Sequence, residues 1–386
     1  MTRRGNGSLG RFPARSVAMV ATILTAAGWV AIAGCASRAQ VAPKDFEVIR
    51  SYGFDAGVDP QPSWSPESYR IVARDAGGFV VLQEVDGNKG RQKFTSSEKR
   101  ETHHPVWINE QEVVFGPKAN AERVPDGRVV PASDGLTVVT IGGLKPEQKL
   151  LTKVGYRPRV GQAHVFAQVE DRMDKIDEHG DIEDFGQGFF AEPQWTGEGV
   201  CWQETPVTEP DWWTGKPVRS NLVIRWNWRR TDVVPGGIQP RWTYDGGVVA
   251  TVLRAEPGPG AAWDQGGTDV VFVGGPRQAP VVIARDAREP APHPTKSVIA
   301  VATADNRIVL VSRDGSQRAD IAAGRRPQWS FDGTRLLVEH VPEPAAAAAI
   351  PSMRPDDRER SAQGREGNVQ AKRLTIYVLR IGPGTK

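Results

Sequence analysis

Six histidines and two cysteines are the side chains of this sequence that could ligate a transition metal or act as a soft nucleophile. A metal centre needs three or four converging ligands. His103 and His104 are adjacent, so on a strand they point to opposite faces, while His164, His293 and His340 fall in separate stretches of chain. The acidic run "EDRMDKIDEHGDIED" (170–184) holds eight acids against Arg172 and Lys175. Calcium would want oxygen ligands at alternate positions closed by a glycine and a bidentate acid. Asp174, Asp177 and Asp181 miss that spacing, and the run reads as a solvated loop. No Gly-x-Ser-x-Gly elbow is present to expose an activated serine, and "GGTDVVFVGG" (266–275) is a strand between turns rather than a phosphate cradle. With no reaction motif in the residues themselves, the chemistry depends on which elements bring polar side chains together.

One cysteine has a context of its own. Arg3, Arg4, Arg11 and Arg15 precede a charge-free stretch from Val17 to Gly34 rich in Ala, Val and Ile, the layout of a bacterial secretory signal. It ends in Ile32-Ala33-Gly34-Cys35, which resembles the lipobox of bacterial lipoproteins. The resemblance implies cleavage after Gly34 and a diacylglycerol thioether on Cys35, an anchor of several acyl chains worth about 0.8 kcal/mol per buried methylene. The alternative is an uncleaved membrane helix, since the run is just long enough to span hydrocarbon. In both cases the arginines hold the N-terminus inside and the rest of the chain lies outside the cytoplasm. Ala36 stands where an aspartate commonly retains lipoproteins at the inner membrane, so the inner leaflet of the outer membrane is favoured where the cell has one. Arg3-Arg4 supports twin-arginine export only weakly, as no Phe-Leu-Lys pattern follows it. Removing residues 1–34 leaves 45 basic against 46 acidic side chains, so the basicity lies in the signal. Nothing then argues for nucleic acid, whose phosphates call for a clustered excess of Lys and Arg. Cys201 has no disulfide partner once Cys35 is acylated.

The full sequence has 41 Gly and 30 Pro, and the remaining chain shows short runs of Val, Ile, Leu and Phe between turn residues, which points to an all-β protein. Internal repetition supports this. "PSWSPESYRIVAR" at Pro62, "PVWINEQEVVF" at Pro105, "PQWTGEGVCWQ" at Pro193, "PRWTYDGGVVATV" at Pro240 and "PQWSFDGTRLLVEH" at Pro327 share one plan. A tryptophan follows the proline by two, and an acid follows the tryptophan by three: Glu67, Glu110, Glu198, Asp245 and Asp332. Degenerate copies stand at Pro158 and Pro292. The seven prolines are 43, 53, 35, 47, 52 and 35 residues apart, near one four-stranded propeller blade per interval. Proline cannot donate to a ladder and is expected at the first residue of a strand. The tryptophan is expected to bury its ring between blades, and Asp-Gly turns fold the first strand onto the second.

The Pro-x-Trp-Ser-x-Asp-Gly pattern resembles the WD40-like repeat of the TolB β-propeller family, over roughly residues 45–382. The resemblance implies a single propeller of seven four-stranded blades, with six as the alternative because half of the interval after Pro158 is acidic. "DFEVIRSY" (45–52) precedes the first repeat without a partner and is expected to close the ring by completing the last blade. The chain thus divides into signal (1–34), tether (35–44), propeller (45–382) and tail (383–386). Within the propeller, "PEPAAAAAIPSMRPDDRERSAQGREGNVQAK" (342–372) lacks the apolar side chains to order itself and reads as a mobile insertion.

Radial repetition sets equivalent residues at one height around the channel. Those flanking each proline, among them His104, Arg157, Arg159, Arg241, His293 and Arg326, are mostly polar and are expected to line one channel mouth. Trp212 and Trp213 in "EPDWWTGKP" cannot both face inwards from a loop, and one is a candidate anchor for a partner or a sugar. The TolB-like resemblance implies a non-catalytic, periplasm-facing module that binds a protein or envelope glycan and needs no cofactor. The alternative is a metal-dependent lyase of the oligogalacturonate type, which is similar in fold and would require His104 and His293 to converge with a third ligand.

Overall fold

A computed structural model describes residues 46–54, 58–76, 78–82, 91–95, 102–117, 120–123, 129–132, 135–141, 146–153, 155–161, 164–177, 179–195, 197–205, 220–227, 230–255, 266–340 and 374–381. The chain opens with strand β1 (Phe46–Phe54). Blade 1 follows as β2 (Ser63–Trp64), β3 (Ile71–Asp75), β4 (Gly78–Leu82) and β5 (Arg91–Thr95). Blade 2 is β6 (Thr102–Trp107), β7 (Glu112–Pro117), β10 (Leu136–Thr140) and β11 (Glu147–Thr152), with a separate hairpin of β8 (Asn120–Arg123) and β9 (Val129–Ala132) inserted between its second and third strands. Blade 3 is β12 (Tyr156–Val160), β13 (Val165–Val169), β14 (Arg172–Ile176) and β15 (Ile182–Gln187). Blade 4 is β16 (Phe189–Pro193), β17 (Val200–Gln203), β18 (Asn221–Asn227) and β19 (Arg230–Pro235). Blade 5 is β20 (Gly237–Trp242), β21 (Val248–Leu253), β22 (Thr268–Val273) and β23 (Val281–Arg285). Blade 6 is β24 (Ala287–Pro292), β25 (Val298–Thr303), β26 (Arg307–Ser312) and β27 (Arg318–Ala323). Blade 7 is β28 (Arg325–Trp329), β29 (Arg335–His340) and β30 (Leu374–Ile381), completed by β1 as its outermost strand.

Seven antiparallel sheets therefore form a propeller, and the N-terminal strand closes it as expected. β1 runs antiparallel to β30 from Phe46 opposite Ile381 to Phe54 opposite Leu374. The core lies between the blades rather than inside any one of them. In β21, Val248 and Ala250 pack on Ile224 and Leu222 of blade 4, while Val249 packs on Ile299 and Val301 of blade 6. Middle strands are covered on both faces, which is why they read as unbroken apolar runs. At the joint of first and last blades, Phe54, Leu337 and Val378 pack on Trp64, Ile71 and Val80, all at most 2% exposed.

The repeat has a different physical basis from the one expected of a strand's first residue. Six of the seven inner strands carry a two-residue bulge, as between His103 and Val106 or between Arg325 and Gln328. In five of them the second bulged residue is proline: Pro105, Pro158, Pro240, Pro290 and Pro327. A bulge on an edge strand needs no ladder donor, so proline costs nothing there. Its fixed place exposes a register error of two residues in two copies. In blade 6 the bulge holds Glu289-Pro290, so Pro292 occupies the tryptophan's slot; in blade 4 it holds Phe190-Ala191, and Pro193 does the same. Trp195 is thus displaced beyond the strand and is 41% exposed, whereas Trp64, Trp107 and Trp329 are buried.

The acidic run 170–184 is also corrected: it is not a loop but supplies β14 and β15, the third and fourth strands of blade 3. Met173 and Ile176 are each 1% exposed, and the acids are offset by the Arg172–Asp174 pair at 3.1 Å and the Lys175–Glu183 pair at 3.2 Å. Only the turn between the strands is polar throughout, closed by Asp177 accepting from the backbone N–H groups of His179 and Asp181. These two strands decide for seven blades. The insertion 342–372 lies outside the described residues, between the ends of β29 and β30.

Candidate functional site

The bulge that organises each inner strand also builds the channel lining. Its first residue takes a left-handed backbone in six blades, at His104, Arg157, Phe190, Gln239, Glu289 and Arg326, and Gln61 just before β2 of blade 1 takes the same conformation, with φ between 41° and 61°. In three blades that turn aims the backbone N–H at the left-handed residue of the preceding blade. The N–H of His104 donates to Gln61 Oε1 at 2.7 Å, that of Glu289 to Gln239 Oε1 at 3.3 Å, and that of Arg326 to Glu289 Oε2 at 2.7 Å. Arg157 offers no acceptor, and the N–H of Phe190 turns instead to Gln168 Oε1 on β13 at 3.0 Å. The Arg157 guanidinium lies 3.7 Å from the centroid of the Phe190 ring, a cation–π contact between the same two blades.

Three residues after the left-handed position, tryptophans lock neighbouring blades at a second level. The indole N–H of Trp64 donates to the Gln328 carbonyl, that of Trp242 to the Glu192 carbonyl and that of Trp329 to the Ala291 carbonyl, each at 2.9 to 3.0 Å. Gln328, Glu192 and Ala291 all stand two residues after the left-handed position, which confirms the shifted register of blades 4 and 6. Trp107 makes no such bond; its ring lies under the Arg70 guanidinium at 4.7 Å.

Five of the six predicted mouth residues are brought together, and one is not. Arg159 and Arg241 both close on Glu192 Oε2, at 3.4 and 2.7 Å. Burial pulls the Arg159 guanidinium down to about 10, with Glu192 opposing the shift. His104 sits beside them; burial and then the charges of Arg157, Arg159, His103 and Arg326 hold its imidazole well below the ordinary value, so it is neutral at pH 7. Arg326 sits at the joint of blades 7 and 1, between Asp59 at 2.7 Å and Glu339 of its own blade at 3.3 Å. Burial would lower it, but Asp59, Glu339 and Glu289 outweigh that and raise it. The sequence reading had not singled out Asp59, Phe190, Glu289 or Glu339. Pro290, two residues before Pro292 in "REPAPHP", is the residue that places Glu289 in the bulge.

His293 is the exception. The two-residue shift carries it past the tryptophan slot and out of the channel, into the joint of blades 6 and 7. It is 4% exposed, T-stacked on Trp329 with ring centroids 4.6 Å apart, and bonded through Nε2 to the Gly333 carbonyl at 3.0 Å. Burial, with Lys296 adding to it, lowers its imidazole to about 4. Gly333 explains the Asp-Gly of the repeat here: its φ is +69°, and a β-carbon would strike the His293 ring. His104 and His293 therefore do not converge. Among the described residues no three His, Cys, Asp or Glu side chains are grouped as metal ligands.

The two ends of the channel differ. The turn after each inner strand lies on one face of the disc, and the connection between second and third strands lies on the other. On the first face Trp195 of blade 4 meets Phe331 of blade 7, ring centroids 5.1 Å apart. These blades are not neighbours in the ring, so the contact crosses the channel's end. The left-handed residues open toward the second face. All four long excursions leave the blades on that face: between Pro117 and Leu136, Gln203 and Asn221, Leu253 and Thr268, and His340 and Leu374. Trp212 and Trp213 belong to the second of these and lie outside the described residues. An anion entering this mouth would meet guanidinium groups suited to forked hydrogen bonds with carboxylates, and a neutral imidazole able to donate or accept.

No family model matches the chain, and no curated protein matches it in sequence. Solved structures do resemble it. YCF48 bound to D1 peptide matches at 9% identity and a TM-score of 0.50, over 89% of this chain and 98% of that one. An oligogalacturonate lyase in complex with manganese matches at 10% identity and a TM-score of 0.50, over 90% and 99%. TolB from Acinetobacter baumannii matches at 11% identity and a TM-score of 0.38, over 72% and 66%. At these identities the likeness shows the fold alone: the chain is a β-propeller.

Proposed function

We propose that this protein is a membrane-anchored, extracytoplasmic binding module whose arginine-lined channel mouth receives an acidic group of a protein or envelope glycan. The observation that carries the reading is the coincidence of two features on one face. The mouth formed by His104, Arg157, Arg159, Arg241 and Arg326 opens where four long inter-strand excursions emerge, and the opposite end is crossed by Trp195 and Phe331. Loops gathered around the open end of a rigid scaffold are the usual place for recognition. The signal and lipobox ending at Cys35 supply the anchor and the location, with the outer membrane favoured where there is one.

A lyase fits the same fold, since one architecture hosts both kinds of protein. It loses support because His293, one of the two histidines it needs, is committed to Gly333 and Trp329. The test is affinity capture of the acylated protein from detergent-solubilised envelopes, in parallel with the double variant Arg157→Ala, Arg159→Ala. The expected result is a stoichiometric envelope component held by the parent and lost from the variant, with elution sharpened by salt as for charge-dependent contacts. Release of unsaturated sugars from polygalacturonate with manganese would instead favour the lyase.

A further inference from the structure

We propose that the propeller rests on the bilayer with the face of its first-to-second-strand turns against the lipid headgroups, so that the arginine-lined mouth opens away from the membrane. The inference deepens the functional reading and rests on its acylated Cys35. Its first support is where the tether enters. Phe46, the first residue of β1, pairs with Ile381, next to Arg380, which pairs with Arg335 at the start of β29. The start of β29 follows the turn at Phe331, so the chain arrives on the face crossed by Trp195 and Phe331. Residues 36–45 separate Cys35 from Phe46, a span of at most about 40 Å even fully extended. A lipid at Cys35 is thereby kept near that face.

The second support is the composition of the face. Four aromatic side chains among the described residues are strongly exposed: Tyr69 at 41%, Trp195 at 41%, Tyr244 at 47% and Phe331 at 39%. All four stand in first-to-second-strand turns, of blades 1, 4, 5 and 7, and so on the tether's side. Aromatic rings with one polar edge favour the headgroup level of a bilayer. Beside them three acid–base pairs hold charge in balance, Glu67 with Arg70 at 2.7 Å, Asp332 with Arg335 at 3.1 Å, and Asp245 with Arg313. Exposed aromatics beside paired charges suit the headgroup level of a bilayer.

The test uses the acylated full chain, reconstituted into vesicles of phosphatidylethanolamine and phosphatidylglycerol. Two single-cysteine variants receive a polarity-sensitive fluorophore: Ser297→Cys, in a turn beside Tyr244, and Ala304→Cys, in a turn on the opposite face. Both sites are exposed, and native Cys201 is fully buried with its thiol pushed well up, so it does not compete for label. Brominated phospholipids are expected to quench most of the emission from position 297 and to leave position 304 unchanged. Vesicle-bound protein with the reverse pattern, or with neither probe quenched, overturns the orientation while leaving the anchor intact. Protein that carries no acyl chains and separates from the vesicles overturns both.

Discussion

Removal of β1 is expected to abolish the single cooperative unfolding transition. The strand is the fourth of blade 7, paired along its length with β30, and it delivers Phe54 into the apolar layer shared with Trp64 and Ile71 of blade 1. Without it β30 becomes an open edge, and the joint between first and last blades loses one wall. The remaining blades then form an open arc whose ends fray independently, as in other chains of repeats that contact only their neighbours. Unfolding of a chain lacking residues 46–54, followed by circular dichroism and tryptophan fluorescence in parallel, should give broad transitions that no longer coincide. A sharp, coincident melt at the parent's midpoint would show that the ring does not depend on this strand.

The second large effect separates two tryptophans that the repeat makes look alike. Trp64→Ala should cost about 3–5 kcal/mol, the range for removing a large buried aromatic, because Trp64 is 2% exposed and bonded to the Gln328 carbonyl across the closing joint. Trp195→Ala should cost no more than about 0.5–1.5 kcal/mol, the worth of an aromatic pair, because its ring touches Phe331 at the channel's end and fills no inter-blade layer. Urea unfolding of the two variants beside the parent reads the difference directly. Equal losses would mean that Trp195 also occupies an inter-blade slot and that the register of blade 4 is wrong.

That register marks the limit of what the sequence made legible. Apolar runs such as "DVVFVGG" and "LTIYVLRIG" located third strands to within about two residues at their ends, because a strand covered on both faces has no polar side to blur it. The unpaired "DFEVIRSY" disclosed the closure for a similar reason: a β-rich run at one end needed a partner at the other. Proline was less informative where several occur together. In "REPAPHP" three candidates compete, and only the bulge shows that Pro290 carries the repeat. The error moved His293 into the predicted channel mouth and left Glu289 out of it. The acidic run misled by composition, since most of its charges sit on the outermost strand β15 and the turn before it, while Met173, Asp174 and Ile176 of β14 are buried. What no repeat could show was the pairing between neighbouring inner strands, where Glu192 holds Arg159 and Arg241, because those contacts join positions dozens of residues apart.

These observations describe a rigid disc with one end crossed by aromatic side chains and the other lined by arginines. Tethered at Cys35, such a disc would hold its binding mouth toward the space beyond the membrane. The arginine arc provides charge without an evident reacting group: His104 is neutral and flanked by cations, which disfavours its taking up a proton at neutral pH. The function proposed above gives that arrangement the recognition of a carboxylate.

The measurement that tests this account most directly is the intact mass of the protein recovered from washed membranes of cells that express it. The predicted species begins at Cys35, lacks residues 1–34, and carries the added mass of a diacylglycerol on that cysteine. A full-length chain bearing no acyl group, or an unmodified chain found free of membranes, would contradict it.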